Sequence, residues 1–380
     1  MLLRNVQTVY DNKPIDIRIE GGTIVSITDA NNDTTADSID LNNAIAIPGL
    51  INSHDHLDFN LFPRIGNRIY KNYVEWGTDI HLNNKDIINE VQKIPVALRT
   101  AWGVYKNLLC GVTTVVNHGV QLVVTDELIN VFQDSYVLHS PGFEKGLFLK
   151  LNTPFAKGIV NIHVGEGTDE QAHAEITKLL KWNIFKKKLV GIHGIAMDEE
   201  QARGFEALIW CPDSNYFLTG ETAAVGQLKN YTTILFGTDA TLTASWNIWE
   251  HIRLARKTGM LTEAELFNSL THSAANAWGL GHTGQLKEGY AADIVVVKPK
   301  NETTGFEAIY ATNPEDIQLV LHKGQIRLFD EELKKQLASS NFSKFSKITM
   351  NEKNMYIMGD LPTLMQQIKS YYPKAVLPVN

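Results

Sequence analysis

Seven short apolar runs, most of them separated by longer amphipathic stretches, set the limits on what this chain can become. The runs are AIAIPGLIN (44–52), GVTTVVNHG (111–119), SYVLHS (135–140), GIVNIHVG (158–165), KLVGIHG (188–194), EALIWCP (206–212) and TILFGTD (233–239). Each has the length and composition of a buried strand. Intervening and following segments such as EQAHAEITKLLKW (170–182) and AELFNSLTHSAANAWG (264–279) carry helical spacing. Strand and helix in alternation predict parallel strands with crossover helices, and units of this length predict an α/β fold of the (β/α)8-type TIM barrel class. Seven strands leave one of eight missing, disguised or distorted. The irregular segment around 141–157 is the expected place of that gap.

The two ends of the chain read differently. LLRNVQTVY, the alternating IDIRIE, the Gly21-Gly22 turn and TIVSI predict a small antiparallel sheet with one apolar face to cover. Matching strands recur in 283–297 and 316–329, so the expectation is a small composite β-sandwich domain formed by both termini. The division expected is 1–48 and 284–330 for the two parts of that domain and 49–283 for the barrel. Residues 331–380 form a tail of unassigned role that could dock on the barrel or on a neighbouring subunit. NNDTTADS (31–38) reads as a polar turn.

Composition narrows the functional classes. With 44% hydrophobic and 20% charged residues over 380 positions, the chain has an ordinary globular make-up that can bury a full core. Thirty-five Lys and Arg against 42 Asp and Glu give a net charge of −7, the wrong sign for coating a nucleic acid. Two cysteines, Cys110 and Cys211, are too few for a disulfide framework or a thiolate cage. No secretory leader and no run of about 20 apolar residues is seen, so a cytoplasmic protein with a small-molecule substrate and no membrane partner is expected.

The histidines carry the chemistry. Six of the twelve, His54, His56, His118, His139, His163 and His193, fall at the ends of predicted strands, where a parallel barrel assembles its active site. A lone HDH tripeptide is ordinarily a solvated polar turn. Here it follows AIAIPGLINS, and side chains two apart in an extended segment point to the same side, so His54 and His56 can reach one ion. His163 adds a third imidazole and Asp239 a hard oxygen, a donor set suited to a divalent transition metal with an open water position. Zinc is the first expectation and iron the alternative.

PGLINSHDHLD, GVTTVVNHG, IHVGEGTDEQ, VGIHGIAMD, WCPDSNYFL, LFGTDATLTAS and THSAANAWGLGHTGQLKEGYAADIVVV occur in the order seen in the amidohydrolase superfamily. Together they resemble its cytosine deaminase and triazine hydrolase branch over about residues 1–330. The resemblance implies a barrel with a composite β domain and one divalent ion that activates water to hydrolyse a C–N bond. It implies His54, His56, His163 and Asp239 as metal ligands, Glu166 of H-x-x-E as the acid/base, and His193 as the residue contacting the water or substrate. The plainer reading of Glu166 is an exposed glutamate in an acidic loop. His118 and His139 take no ligand role from the resemblance.

That set implies deamination of an amino-substituted heterocycle, by attack of hydroxide held at the ion, with release of ammonia. The alternatives are hydrolysis of an amide, a cyclic amide or another heterocycle C–N or C–halogen bond, and a catalytically inactive binding relative. In the segment after His56, Phe59, Arg64 and Trp76 could stack a ring and pair an acidic group, with His139 as a further contact; a surface aromatic cluster is otherwise packing. The C-P-x-S-N turn at 211–215 reads as support for a site-facing loop, with Cys211 a small buried side chain. The resemblance also implies a homodimer as one assembly state.

Overall fold

The computed structural model describes residues 1–31, 37–125, 127–154, 158–337 and 341–380. Most of the polar turn at 31–38 and the end of the segment 141–157 therefore lie outside the described residues.

The chain opens with β1 (Leu2–Val6), β2 (Ile15–Glu20), β3 (Thr23–Asp29) and β4 (Ser38–Asp40), which form one sheet in the order β3-β2-β1-β4. The alternation read in IDIRIE puts Ile17 and Ile19 inside. The apolar run 44–52, expected as a single strand, divides into two. β5 (Ile45–Pro48) joins a different sheet from β6 (Leu50–Asp55), and Gly49 is the break. A Cβ on Gly49 would lie 2.1 Å from Thr113 Oγ1, so the chain passes from sheet to sheet where no side chain fits.

Eight parallel strands follow: β6, β7 (Val112–Asn117), β8 (Asn130–Phe132), β9 (Tyr136–Leu138), β10 (Val160–Val164), β11 (Leu189–His193), β12 (Ala207–Trp210) and β13 (Thr233–Phe236). The unaccounted strand is β8, upstream of where it was expected. Its three half-buried residues are too short to show a pattern, and 147–151 in the expected gap is helical. The strands form two ladders, β6-β7-β8 and β9 to β13. Among the described residues no ladder joins β8 to β9. At the other seam, Thr238 N and Asp239 N donate to His54 O at 3.1 and 3.0 Å.

The chain then returns to the terminal sheet through β14 (Ile294–Val297), β15 (Ile317–His322), β16 (Gln325–Asp330), β17 (Phe345–Met350) and β18 (Lys353–Met358), in the order β17-β18-β16-β15-β14-β5. Leu3, Ile17, Ile24, Ile39, Ile294 and Phe329 belong to one apolar cluster shared by the four- and six-stranded sheets. The tail is part of this structure: it supplies β17 and β18, and Tyr105 Oη donates to Met358 O at 3.1 Å. No helix among the described residues is long and apolar enough to cross a membrane.

One helix positions the site from outside the strands. Along Val96–Leu109, residues Arg99, Trp102, Gly103, Lys106 and Asn107 fall on one face by their three- and four-residue spacing. Arg99 Nη1 donates to Asp58 O at 2.8 Å and Trp102 Nε1 to Asn60 O at 2.9 Å, so this face grips the turn after His56. A Cβ on Gly103 would lie 2.2 Å from Leu57 O. We predict that Gly103→Ala pushes the helix off that turn and destabilises the protein by about 1–3 kcal/mol, the usual cost of overpacking. An unchanged urea-unfolding midpoint would show that the close approach does not constrain the fold.

Candidate metal centre and active site

The structure brings the histidines of five strand ends to one place. His54 lies on β6 and His56 just beyond it, His118 follows β7, His139 follows β9, His163 lies on β10 and His193 ends β11. The ring centroids of His54 lie 4.9 Å from those of His56 and 5.0 Å from those of His163, and His118 is 4.3 Å from His163. Asp239 follows β13, with its Oδ1 3.6 Å from His54 Nε2 and 3.7 Å from His56 Nε2. Donors held about 2.0–2.1 Å from a zinc ion stand about 3–4 Å apart, so these separations suit a shared cation.

The donor atoms of His54, His56 and Asp239 lie within 4.8 Å of one another, and so do those of His54, His163 and His193. His54 is fully buried and neither ring nitrogen has a hydrogen-bond partner. A buried, unpartnered imidazole is costly unless something else takes its lone pair, and a cation here would do so. His163 Nδ1 donates to His139 O at 2.8 Å, which leaves Nε2 as the free lone pair. Burial, together with neighbouring imidazoles, holds His163 well below the usual histidine range and takes His56 to about 4, so both are neutral, the state that binding a cation would require. Burial pushes the Asp239 carboxyl up, but His54, His56 and His193 outweigh it and hold it well below the usual range.

Around the donors stand groups suited to moving protons. Glu166 is buried, its Oε1 3.5 Å from His193 Nε2. Burial, then the charges of Asp239 and Glu175, push its carboxyl well above the ordinary value, and a divalent ion nearby would draw it back down. His193 Nδ1 donates to Asn215 Oδ1 at 2.8 Å, which fixes its tautomer. Burial lowers its pKa to about 4. Both His193 and Asp239 have left-handed backbone, φ 71° and 60°, the kind of local strain found where side chains must be aimed.

The polar supports were mostly not foreseen. Lys106 and Asp55 are 3.0 Å apart and both fully buried. Lys106 Nζ also donates to Asn60 Oδ1 at 2.8 Å and to Asp239 O at 3.4 Å, so its three protons meet three acceptors. Asp55 accepts from Asn60 and Asn107, both at 2.8 Å. Asn52 Nδ2 donates to Thr238 Oγ1 at 2.8 Å and Asn52 Oδ1 accepts from Thr238 N at 3.0 Å, fastening β6 to the segment before Asp239. The available signal was a lysine and an asparagine side by side in the otherwise apolar YKNLL of 105–109. The C-P-x-S-N turn acts on the site directly: Ser214 Oγ donates to Asp239 Oδ2 at 2.7 Å, while Asn215 holds His193. Cys211 is buried, and burial pushes its thiol well up.

A cavity of about 500 Å³ opens on these groups, lined by His56, His163, Glu166, His193 and Asp239. Phe59, Trp76 and His139, three of the four residues expected at the substrate, also line it, with Phe59 stacked on the His56 ring at 5.5 Å. Arg64 does not. Its guanidinium is paired with Asp213 and lies over the Phe217 ring, and it lines a neighbouring cleft. His118 also stays out of the cavity, buried with both ring nitrogens unpartnered.

Two predictions follow from these supports. Lys106→Met strands the Asp55 carboxylate and should cost about 3–5 kcal/mol with weaker retention of an added divalent ion; adding Asp55→Asn should recover much of the stability. Equal urea midpoints for the single and double variants would remove the pair from this role. Glu175 accepts from Tyr73 Oη and Gly165 N, both at 2.9 Å, and burial pushes its carboxyl up to about 7. A carboxyl raised on folding stabilises the protein in its protonated form, so this contribution is complete below about 4.5 and is lost as pH rises through about 7. Glu175→Gln should flatten the fall in stability across that window, measured as the urea midpoint against pH.

Residues 156–327 match the model of the Amidohydrolase family. A 5-methylthioadenosine/S-adenosylhomocysteine deaminase of Carboxydothermus hydrogenoformans is 24% identical over 86% of this chain and 92% of its own. An adenosine deaminase from Xanthomonas campestris, solved with bound zinc, superposes with a TM-score of 0.73 at 16% identity over 98% of both chains. The 5-methylcytosine deaminase of Klebsiella pneumoniae gives 0.66 at 17% identity over 87% of this chain and 98% of that one. At such identities the structural likeness is one of fold, the TIM-barrel fold of these hydrolases. With strand-end imidazoles and Asp239 gathered at one place, the chain resembles the amidohydrolase family in its matched segment, 156–327, and in its fold.

Proposed function

We propose that the protein is a metal-dependent hydrolase that deaminates an amino-substituted heterocycle and releases ammonia. The observation that carries this is Glu166, a buried carboxyl set 3.5 Å from His193 Nε2 on the cavity that the donor set faces. The curated relative above, named for deamination of adenosine-type compounds, supports the same reading.

His54, His56, His163 and Asp239 are the residues we assign to one divalent ion, zinc first and iron second. When bound, such an ion lowers the pKa of water toward about 7 and so makes hydroxide available at neutral pH. Asp239, held deprotonated among the imidazoles, is placed to take the proton of that water. His193, neutral and oriented by Asn215, can donate from Nε2 only after accepting a proton, so its first act is to hold the attacking oxygen by its lone pair. Glu166 gives a proton to the ring nitrogen as the tetrahedral carbon forms; the proton taken up by Asp239 then passes to the amine, which leaves as ammonia while the new hydroxyl returns a proton to Glu166 and becomes the carbonyl. We read residues 1–48 and 284–330, joined by β17 and β18 of the tail, as one composite β-sandwich domain that backs residues 49–283.

The test is ammonia release by ion-loaded protein from a panel of aminopurine nucleosides, aminopyrimidines, pterins and triazines. Glu166→Gln should keep the ion, measured by elemental analysis at about one per chain, and lose about 10²- to 10⁴-fold in turnover. Full turnover in that variant would remove Glu166 from the mechanism. Release of another leaving group without ammonia would redirect the reading to a different C–N or C–halogen hydrolysis.

A further inference from the structure

The cavity wall narrows the substrate further, on the reading of the site as a deaminase. Apart from Glu166, Asp239 and the imidazoles, the wall is made by Phe59, Tyr73, Trp76, Ile80, Phe143 and Leu242 and a few small polar residues. Among the described residues no lysine or arginine lines it.

Several of the polar atoms in this wall are already engaged. Trp76 Nε1 donates to Ile65 O at 2.7 Å, so the indole offers the cavity its hydrocarbon surface. The Tyr73 hydroxyl donates to Glu175 and accepts from Gly142 N at 2.8 Å, which leaves its ring to the cavity, edge-on to Phe143 with centroids 5.3 Å apart. Thr78 Oγ1 donates to Val74 O at 2.8 Å within its own helix.

Three basic side chains of the surrounding loops are likewise occupied, and none lines the cavity. Arg64 is paired with Asp213, and Lys150 with Glu144. Arg68 is held by Glu75 at 2.6 Å and lies over the Tyr70 ring. An anionic group entering this cavity beyond the reach of the ion would meet no lysine or arginine, and of the imidazoles outside the donor set His81 is tied by Nδ1 to Gly77 O at 2.8 Å and His139 by Nδ1 to Ser140 Oγ at 2.9 Å; desolvating an ion without a fixed counter-charge costs several kcal/mol. Glu166 and the donors His54, His163 and Asp239 are buried, whereas Phe143 is 44% exposed and marks where the wall meets solvent. A heterocycle presenting its amine to Glu166 therefore has its opposite side against aromatic and aliphatic carbon.

We propose that the site takes an uncharged amino-heterocycle bearing an apolar substituent on the side away from the reacting carbon, and discriminates against analogues whose substituent ends in a carboxylate or phosphonate. The experiment uses adenine, cytosine and aminotriazine cores, each carrying a butyl, carboxypropyl or phosphonopropyl group. Ammonia release is measured with ion-loaded protein, and binding to ion-loaded Glu166→Gln by calorimetry. The butyl member of any core that is accepted should exceed its anionic partners by about 100-fold or more in kcat/KM and in affinity. Phe143→Arg, a change at an exposed position, should narrow that ratio for the carboxypropyl compound. Anionic members within about 10-fold of the neutral ones, no binding of any neutral member, or a ratio untouched by Phe143→Arg in folded protein would each overturn the proposal. Neutral members that bind selectively yet release no ammonia would uphold the selectivity and defeat the deaminase reading instead.

Discussion

A buried lysine holds the centre together. Lys106 reaches from the helix Val96–Leu109 to Asp55, the residue between His54 and His56, and touches the carbonyl of Asp239 as well. The two strands that supply these donors, β6 and β13, meet only at one seam of the sheet, through short backbone bonds to His54 O. Backbone pairing alone would leave the imidazoles and the carboxylate free to move apart. The ammonium closes that gap with three fixed acceptors, and Asn52, Asn60 and Asn107 fill the remaining polar valences around it. A buried ion pair of this kind contributes little net stability when compared with packed hydrocarbon, but it is strict about geometry.

The same logic runs outward from the donors. Ser214 and Asn215 come from one turn and reach Asp239 and His193, so two neighbouring residues set the orientation of two groups that must act in concert. Glu175 does the corresponding work for the H-x-x-E loop, holding Gly165 N while Tyr73 N bonds Glu166 O at 3.0 Å. Many polar side chains near the cavity are thus committed to another side chain or to backbone, and much of what remains for a ligand is ring face, methyl and the reactive groups.

Seven of the eight parallel strands were legible in the sequence because buried parallel strands are nearly continuous apolar runs, and each such run contains one of them. The exceptions have physical causes. β8 is three residues long and half-buried, too brief for any period to show, and the run 44–52 hides a change of sheet because both halves are equally apolar. The gathering of His54, His56, His163 and Asp239 was legible because imidazoles at strand ends are conspicuous. Arg64 misled because sequence proximity to His56 says nothing about direction, and Asp213, 149 residues later in the chain, claims its charge. The asparagines and Lys106 were not legible, since their meaning lies in partners contributed by other elements.

Gly49 gives the molecule a particular order of assembly. Because β5 and β6 are separated by that one residue, the strand bearing His54 is harnessed directly to the six-stranded sheet, where Ile47 lies opposite Val295. In chain order the H-x-H segment precedes every later barrel strand, yet β14, the strand laddered to β5, comes after all of them. The first of the barrel strands in chain order is consequently among the last to be locked, and β5 keeps one edge open until β14 arrives.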